Sequence, residues 1–121
     1  MKPVAAIIAA GAMGSAVARR LHESGLEVLT ALDGRSAGSV QRANGAGMTT
    51  VERAELARAD IFLSIVPPGA AISLAEEIAA EFVASADKPL YVDCNAINPE
   101  TAQRVANIVE QNGMRIASAD A

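Results

Sequence analysis

Aromatic and sulfur-bearing side chains are scarce in this 121-residue sequence, which has two phenylalanines, one tyrosine, one cysteine and no tryptophan. A single cysteine, Cys94, excludes both a disulfide framework and a zinc site built from several thiolates. So few aromatic rings leave no stacking platform for nucleic-acid bases. A net charge of −4 also provides no basic face for phosphates. We therefore expect no nucleic-acid partner.

Long apolar runs are absent as well. The amino-terminal run extends only from Val4 to Ala10, far short of the roughly 18 residues that a membrane-spanning helix needs. Helix-forming and charged residues, including Arg19 and Arg20, follow closely, so a buried first strand fits this segment better than a signal peptide. We expect no membrane partner and a cytoplasmic location.

The composition is that of a folded domain. Hydrophobic residues make up 51% of the chain and charged residues 20%, a balance that excludes intrinsic disorder. Short apolar runs alternate with segments of helical periodicity, which is typical of a parallel sheet covered by helices. We predict one α/β domain over residues 1–121, doubly wound around a mostly parallel sheet of about six strands.

The same pattern predicts the bounds of each element. Gly25 and Gly113 stand where left-handed helix ends are favoured, and Asn98 followed by Pro99 predicts a capped helix start. The inward face of the first helix is predicted to comprise Met13, Ala16, Val17, Leu21 and Ser24. Predicted strands cover residues 3–10, 27–32, 48–51, 60–66, 90–94 and 114–118. Predicted helices cover residues 13–24, 37–44, 52–58, 70–84 and 99–111.

The turn between the first strand and the first helix has the sequence Ala9-Ala10-Gly11-Ala12-Met13-Gly14. This is a G-x-G-x-x-G dinucleotide fingerprint in which Ala9 replaces the first glycine. Gly11 has no Cβ, so a pyrophosphate can approach its backbone, and Gly14 lets the helix pack closely on the strand. The helix amino terminus then offers free N–H groups to the phosphates.

Asp33 follows Gly14 by 19 residues, close to the spacing of the acid that binds the adenosine ribose. This context favours dinucleotide binding over a glycine turn of purely structural use. Arg35 and Ser36 complicate the choice of cofactor, because a guanidinium and a hydroxyl suit a 2′-phosphate whereas Asp33 repels one. We expect NADP(H), with NAD(H) as the alternative.

Four segments together carry a wider similarity: the glycine turn with its helix, Asp33-Gly34-Arg35-Ser36, Ser64-Ile65-Val66-Pro67, and residues 92–101. In order and spacing they resemble the amino-terminal cofactor domain of the 6-phosphogluconate dehydrogenase and 3-hydroxyisobutyrate dehydrogenase (β-hydroxyacid dehydrogenase) superfamily. The details are most similar to its phosphogluconate dehydrogenase-like branch. The resemblance implies a Rossmann-type fold and, in the complete enzyme, hydride transfer between a nicotinamide and a small hydroxy acid or related substrate.

The resemblance also implies which residues contact the dinucleotide. The glycine turn would hold the pyrophosphate, and the segment after the fourth strand would form a wall over the cofactor. Asn95 and Ala96 stand where the family has serine and threonine, so a hydroxyl contact is replaced or lost there. The predicted cofactor-binding residues are Ala9, Ala10, Gly11, Ala12, Met13, Gly14, Asp33, Arg35, Ser36, Val66, Pro67 and Asn95.

The family's helical catalytic domain, with its acid/base lysine, has no counterpart in these 121 residues. We therefore assign no catalytic residue and expect the chain alone to bind cofactor without turnover, and we leave a homo-oligomer open. The alternative is a stand-alone nucleotide-sensing module without catalysis.

His22, the only histidine, is predicted on the solvated helix face, and Cys94 is predicted to be a packed thiol. No spacing predicts a metal site.

Overall fold

Six short strands form one sheet in the computed structural model, which describes residues 3–8, 12–31, 45, 47–95 and 98–118. Every pairing among these strands is parallel, and their order is β3-β2-β1-β4-β5-β6. The doubly wound α/β fold is thus confirmed. The strands are β1 (Val4–Ile8), β2 (Glu27–Thr30), β3 (Thr49–Thr50), β4 (Ile61–Ser64), β5 (Leu90–Asp93) and β6 (Ile116–Ser118).

Three α-helices and two short 3-10 helices connect the described strands. The predicted segment 52–58 forms a 3-10 helix over Arg53–Arg58, and a second 3-10 turn, Pro68–Ala70, leads into the next helix. The helix predicted at residues 37–44 lies outside the described residues. The α-helices are α1 (Ala12–Glu23), α2 (Ala71–Phe82) and α3 (Pro99–Gln111).

Apolar side chains are buried on both faces of the sheet, as parallel strands require. On one face, α2 and α3 cover the central strands, and the Phe62 ring stacks on Tyr91 at a centroid distance of 5.3 Å. The residues of α2 that share its inward face are all buried: Ala71, Leu74, Ala75, Ile78 and Phe82. The opposite face packs Ile7, Val28 and Leu63 against α1.

The predicted inward face of α1 is partly wrong. Ala16 and Ser24 are exposed, whereas Ala18 is completely buried and Val17 and Leu21 are half-buried beside it. Successive helical residues are about 100° apart, so Ala16 points away from the stripe formed by positions 17, 18 and 21. Ser24 follows the last residue of the helix.

The predicted helix ends are confirmed. Gly25 and Gly113 adopt positive φ values of 95° and 84°, the left-handed conformation that glycine accepts most easily. At the start of α3, the Asn98 side chain accepts a hydrogen bond of 2.8 Å from the Thr101 backbone N–H, and Pro99 follows it. These local contacts determine where the chain leaves and re-enters the helical layers.

The Asn98 cap should contribute measurably to stability. Because Asn98→Ala leaves the Thr101 N–H without its acceptor, the free energy of unfolding should fall by about 1 kcal/mol. Gln111→Ala, at the exposed carboxyl end of the same helix, is the matched control and should change it by less than about 0.5 kcal/mol. Urea denaturation followed by circular dichroism measures both; equal effects would show that the cap contributes nothing specific.

Candidate functional site at the carboxyl edge of the sheet

The connections reverse direction between β1 and β4, which are neighbours in the sheet but distant in the chain. In open α/β sheets, ligands bind at such a point, in the crevice beyond the carboxyl ends of the strands. Ile8 at the end of β1 is the register partner of Ser64 at the end of β4. The crevice therefore opens above these two residues.

The electrostatics of α1 suit an anion in this crevice. The helix begins at Ala12, shortly after β1 ends, so its amino terminus lies at the carboxyl edge of the sheet. Its first turn contains no acidic residue, and its last turn carries Arg20 and His22. The partial positive charge of the helix amino terminus is thus not neutralised by a neighbouring carboxylate within the helix. A dinucleotide pyrophosphate fits this arrangement.

The structure brings three of the predicted site residues together. Val66 and Pro67 follow β4, and Asn95 follows β5, the neighbouring strand at the same edge. Ala12, Met13 and Gly14 form the first turn of α1. The other predicted residues, namely Ala9, Ala10, Gly11, Asp33, Arg35 and Ser36, lie outside the part of the chain that the structure describes.

Asn95 connects the two strand ends. Its Oδ1 accepts a hydrogen bond of 2.8 Å from the Val66 backbone N–H, and its Nδ2 donates one of 2.9 Å to Ser64 Oγ. The Asn95 backbone N–H in turn donates to Asp93 Oδ1 at 2.9 Å. Both ends of the carboxamide are therefore engaged inside the protein, although the side chain is only half-buried.

A buried polar cluster lies below Asn95, and sequence reasoning missed it. Ser64 and Asp93 are register partners on β4 and β5, and both are almost inaccessible to solvent. Tyr91, two residues before Asp93, is completely buried. The available clue was a polar residue at the end of each of two otherwise apolar strands, because parallel strands bring such residues side by side.

Burial raises the pKa of Tyr91 to about 12, and the negative charge of Asp93 adds to this rise. The neighbouring Ser64 hydroxyl offsets part of it, although the two hydroxyls do not meet hydrogen-bond geometry. Among the described residues, the Tyr91 hydroxyl has no hydrogen-bond partner. The phenol is therefore a neutral packing group and not a proton donor or acceptor at ordinary pH.

Among the described residues, the histidine and the cysteine do not form a second reactive site. His22 is exposed on α1, as predicted, and its ring lies against Gly47, where a Cβ would come within 2.7 Å of it. Cys94 packs beside the apolar cluster under α1, and burial and the charge of Asp93 raise its thiol pKa. This agrees with the expectation of a packed, unreactive thiol.

In the described part of the chain, no three histidine, cysteine, aspartate or glutamate side chains are grouped to hold a metal ion. No helix in the same part is long and apolar enough to cross a membrane.

An all-parallel sheet in this order, with a helix amino terminus at its reversal point, defines the dinucleotide-binding class of α/β domains. Residues 4–97 match the family described as NADP oxidoreductase, coenzyme F420-dependent. The chain belongs to this family. A comparison with curated protein sequences found no match.

Solved structures extend the comparison. MTH1747, a conserved protein of unknown function with structural similarity to 3-hydroxyacid dehydrogenases, is 28% identical, with a TM-score of 0.81 over 97% of this chain and 42% of its own. Mycobacterium tuberculosis 3-hydroxyisobutyrate dehydrogenase, solved with L-serine, is 21% identical and has a TM-score of 0.79. The match covers 98% of this chain and 40% of that enzyme. A Myxococcus stipitatus imine reductase, solved with NADP+, is 19% identical and has a TM-score of 0.73. The match covers 96% of this chain and 39% of the reductase.

The chain thus spans about two-fifths of the length of these structures. The predicted resemblance to the β-hydroxyacid dehydrogenase superfamily is confirmed for the fold and the family. The chain is a pyridine-nucleotide-binding domain of the oxidoreductase type.

The raised pKa of Tyr91 predicts a loss of stability in alkali. Because the folded-state pKa of about 12 exceeds the ordinary value of 10.0, the unfolded chain ionises first as the pH rises. The tyrosine contribution should be constant below about pH 9 and should fall between pH 10 and 12, by up to about 1.4 kcal/mol per pH unit. Tyr91→Phe should remove this fall.

Tyr91 is the only tyrosine in the sequence, so tyrosinate absorbance reports its ionisation directly. Urea denaturation of the wild type and Tyr91→Phe at pH 8 and pH 11 isolates its contribution, because all other alkaline titrations are common to both proteins. Ionisation near pH 10 in the folded protein, or identical alkaline limbs for the two proteins, would contradict the burial of the phenol.

Proposed function

We propose that this chain is the NADP(H)-binding domain of an oxidoreductase that acts on a small hydroxy acid or a related substrate. The observation that carries the proposal is the crevice between β1 and β4, where the amino terminus of α1 and the segment that follows β4 lie at the same edge of the sheet. The family match supports an oxidoreductase over a nucleotide-sensing module. When bound, the nicotinamide supplies the hydride chemistry, and the residues of this chain orient it.

The proposed division of roles follows the sheet. Residues 9–14 would bind the pyrophosphate through backbone N–H groups, and Asp33, Arg35 and Ser36 would surround the adenosine ribose. Val66 and Pro67 would form the wall over the other half of the cofactor. Val66 is half-buried and anchored on the core, whereas Pro67 is exposed at the edge. This chain provides binding, and catalytic groups and substrate contacts would come from the remainder of a longer enzyme.

The substrate assignment rests on similarity alone. A 3-hydroxyisobutyrate dehydrogenase and a protein similar to 3-hydroxyacid dehydrogenases share this fold, and so does an imine reductase. Two of these proteins are thus linked by name to hydroxy acids and the third to imines. We therefore propose a small hydroxy acid or a related compound as the substrate of the complete protein.

A change at the glycine turn tests the proposed binding site. In Gly11→Ala, the added methyl group would push the pyrophosphate from the backbone and weaken its charge-assisted hydrogen bonds, so the Kd for NADPH should rise at least about tenfold. Gly45→Ala is the matched control, because nothing lies within 4 Å of a Cβ built at Gly45. Isothermal titration calorimetry measures both. Unchanged affinity in folded Gly11→Ala would place the dinucleotide elsewhere.

Arg35 tests the choice between NADP(H) and NAD(H). If its guanidinium binds the 2′-phosphate, Arg35→Ala should cost NADPH about 1.5–3 kcal/mol of binding free energy and leave NADH nearly unchanged. Arg20→Ala removes the same charge from an exposed position on α1 and should affect both ligands little. Tighter binding of NADH than NADPH by the wild type, or equal losses for both ligands in Arg35→Ala, would contradict a contact between Arg35 and the 2′-phosphate. A ribose contact by Asp33, with NAD(H) as the cofactor, would then be favoured.

A further inference from the structure

Asn95 joins the ends of β4 and β5 with three hydrogen bonds. Its carboxamide oxygen accepts from Val66 N–H at 2.8 Å, its amide nitrogen donates to Ser64 Oγ at 2.9 Å, and its own N–H donates to Asp93 at 2.9 Å. No smaller polar side chain offers an acceptor and a donor in one rigid plane. The orientation of the carboxamide is thereby determined from both sides.

The bond to Val66 extends the sheet beyond its last strand pair. The final backbone contact between the two strand ends runs from Cys94 N–H to Ser64 oxygen, at 3.1 Å. Val66 N–H lies past that contact, where the Asn95 side chain supplies its acceptor. The carboxamide therefore determines where residues 65–67 leave the sheet. We call these residues the β4 exit segment.

The β4 exit segment lies on one particular side of the crevice. In domains of this class the acid after β2 contacts the adenosine ribose, and the pyrophosphate lies at the β1–α1 turn. The other half of the dinucleotide therefore extends over β4 and β5, on the opposite side of β1 from β2. That half carries the nicotinamide.

We propose that Asn95 is a positioning residue that holds the β4 exit segment against the nicotinamide half of the dinucleotide. This inference rests on the proposed function and adds a residue role to it. In this role Asn95 acts through Val66, whose backbone N–H its carboxamide oxygen holds at 2.8 Å while its amide nitrogen is fixed on Ser64. Its loss displaces the wall over the nicotinamide and leaves the adenosine and pyrophosphate contacts in place.

The test compares two ligands that differ in the nicotinamide alone: NADPH and ADP-ribose 2′-phosphate. Asn95→Leu keeps the approximate size of the side chain and removes its two side-chain hydrogen bonds, leaving the backbone bond to Asp93 possible. The Kd for NADPH should rise about fivefold or more, because the displaced β4 exit segment loses contact with the nicotinamide half, whereas the Kd for ADP-ribose 2′-phosphate should change less than about twofold. The ratio of the two changes is the readout, and a merely structural role would not move it.

Asn112→Leu is the matched control. Asn112 Nδ2 donates a bond of 2.8 Å to Ile108 oxygen at the carboxyl end of α3, which lies at the opposite edge of the sheet. Its loss should lower the melting temperature but leave the ratio of the two affinities unchanged. If Asn95→Leu does not fold, Asn95→Ala, which removes the carboxamide and adds no polar group, is scored by the same ratio.

The outcomes separate this inference from the function on which it rests. Equal weakening of both ligands, or no weakening of either in a folded Asn95 variant, overturns the positioning role while the nucleotide-binding function stands. Failure of the wild type to bind either ligand overturns the proposed function and the positioning role together. A selective loss of NADPH affinity supports both.

Discussion

The pairing of β1 with β2 on one side and β4 on the other is the constraint on which the rest of this structure depends. Because these and the other three pairings are all parallel, every strand ends at the same edge of the sheet, and every following connection starts there. On one side of β1 the chain proceeds to β2 and β3, and on the other side to β4, β5 and β6. The crevice opens at β1, between these two sets of connections. The amino terminus of α1 and the β4 exit segment border this crevice for the same topological reason.

Much of this arrangement could be predicted from local sequence. β1 and β4 are apolar at nearly every position because helices or loops cover both faces of the sheet, and such runs are distinctive. Gly25, Gly113 and Asn98 mark helix ends through their own backbone preferences. Each of these features depends on residues within one turn of chain, which is why the sequence alone was sufficient.

Features that depend on register or rotation could not be obtained in this way. The hydrogen bonds of Asn95 to Val66 and Ser64 join positions that are 29 and 31 residues apart in sequence. Only the alignment of β4 with β5 brings them together. Similarly, Ala18 is buried instead of Ala16 because α1 is rotated about its axis by its packing on Ile7 and Val28. Helical spacing alone does not determine that rotation among so many alanines.

The buried cluster of Ser64, Tyr91 and Asp93 shows how the crevice is supported from below. Buried polar groups are costly unless they form hydrogen bonds. Asn95 provides a partner for two of them: its Nδ2 donates to Ser64 Oγ, and its backbone N–H donates to Asp93 Oδ1. The same connections reach Val66 at the surface of the crevice. Packing in the core and the position of the binding wall are therefore linked through one carboxamide.

The central claim is that a dinucleotide binds at the carboxyl edge of the sheet, across the reversal point. Backbone amide chemical shifts, followed by NMR during a titration with NADPH, test it most directly. The largest shifts should occur in residues 9–14, 65, 66 and 95, with little change at Asp60, Lys88 and Arg115, which precede β4, β5 and β6 at the opposite edge. Shifts concentrated at that opposite edge, or none at saturating NADPH, would contradict the account.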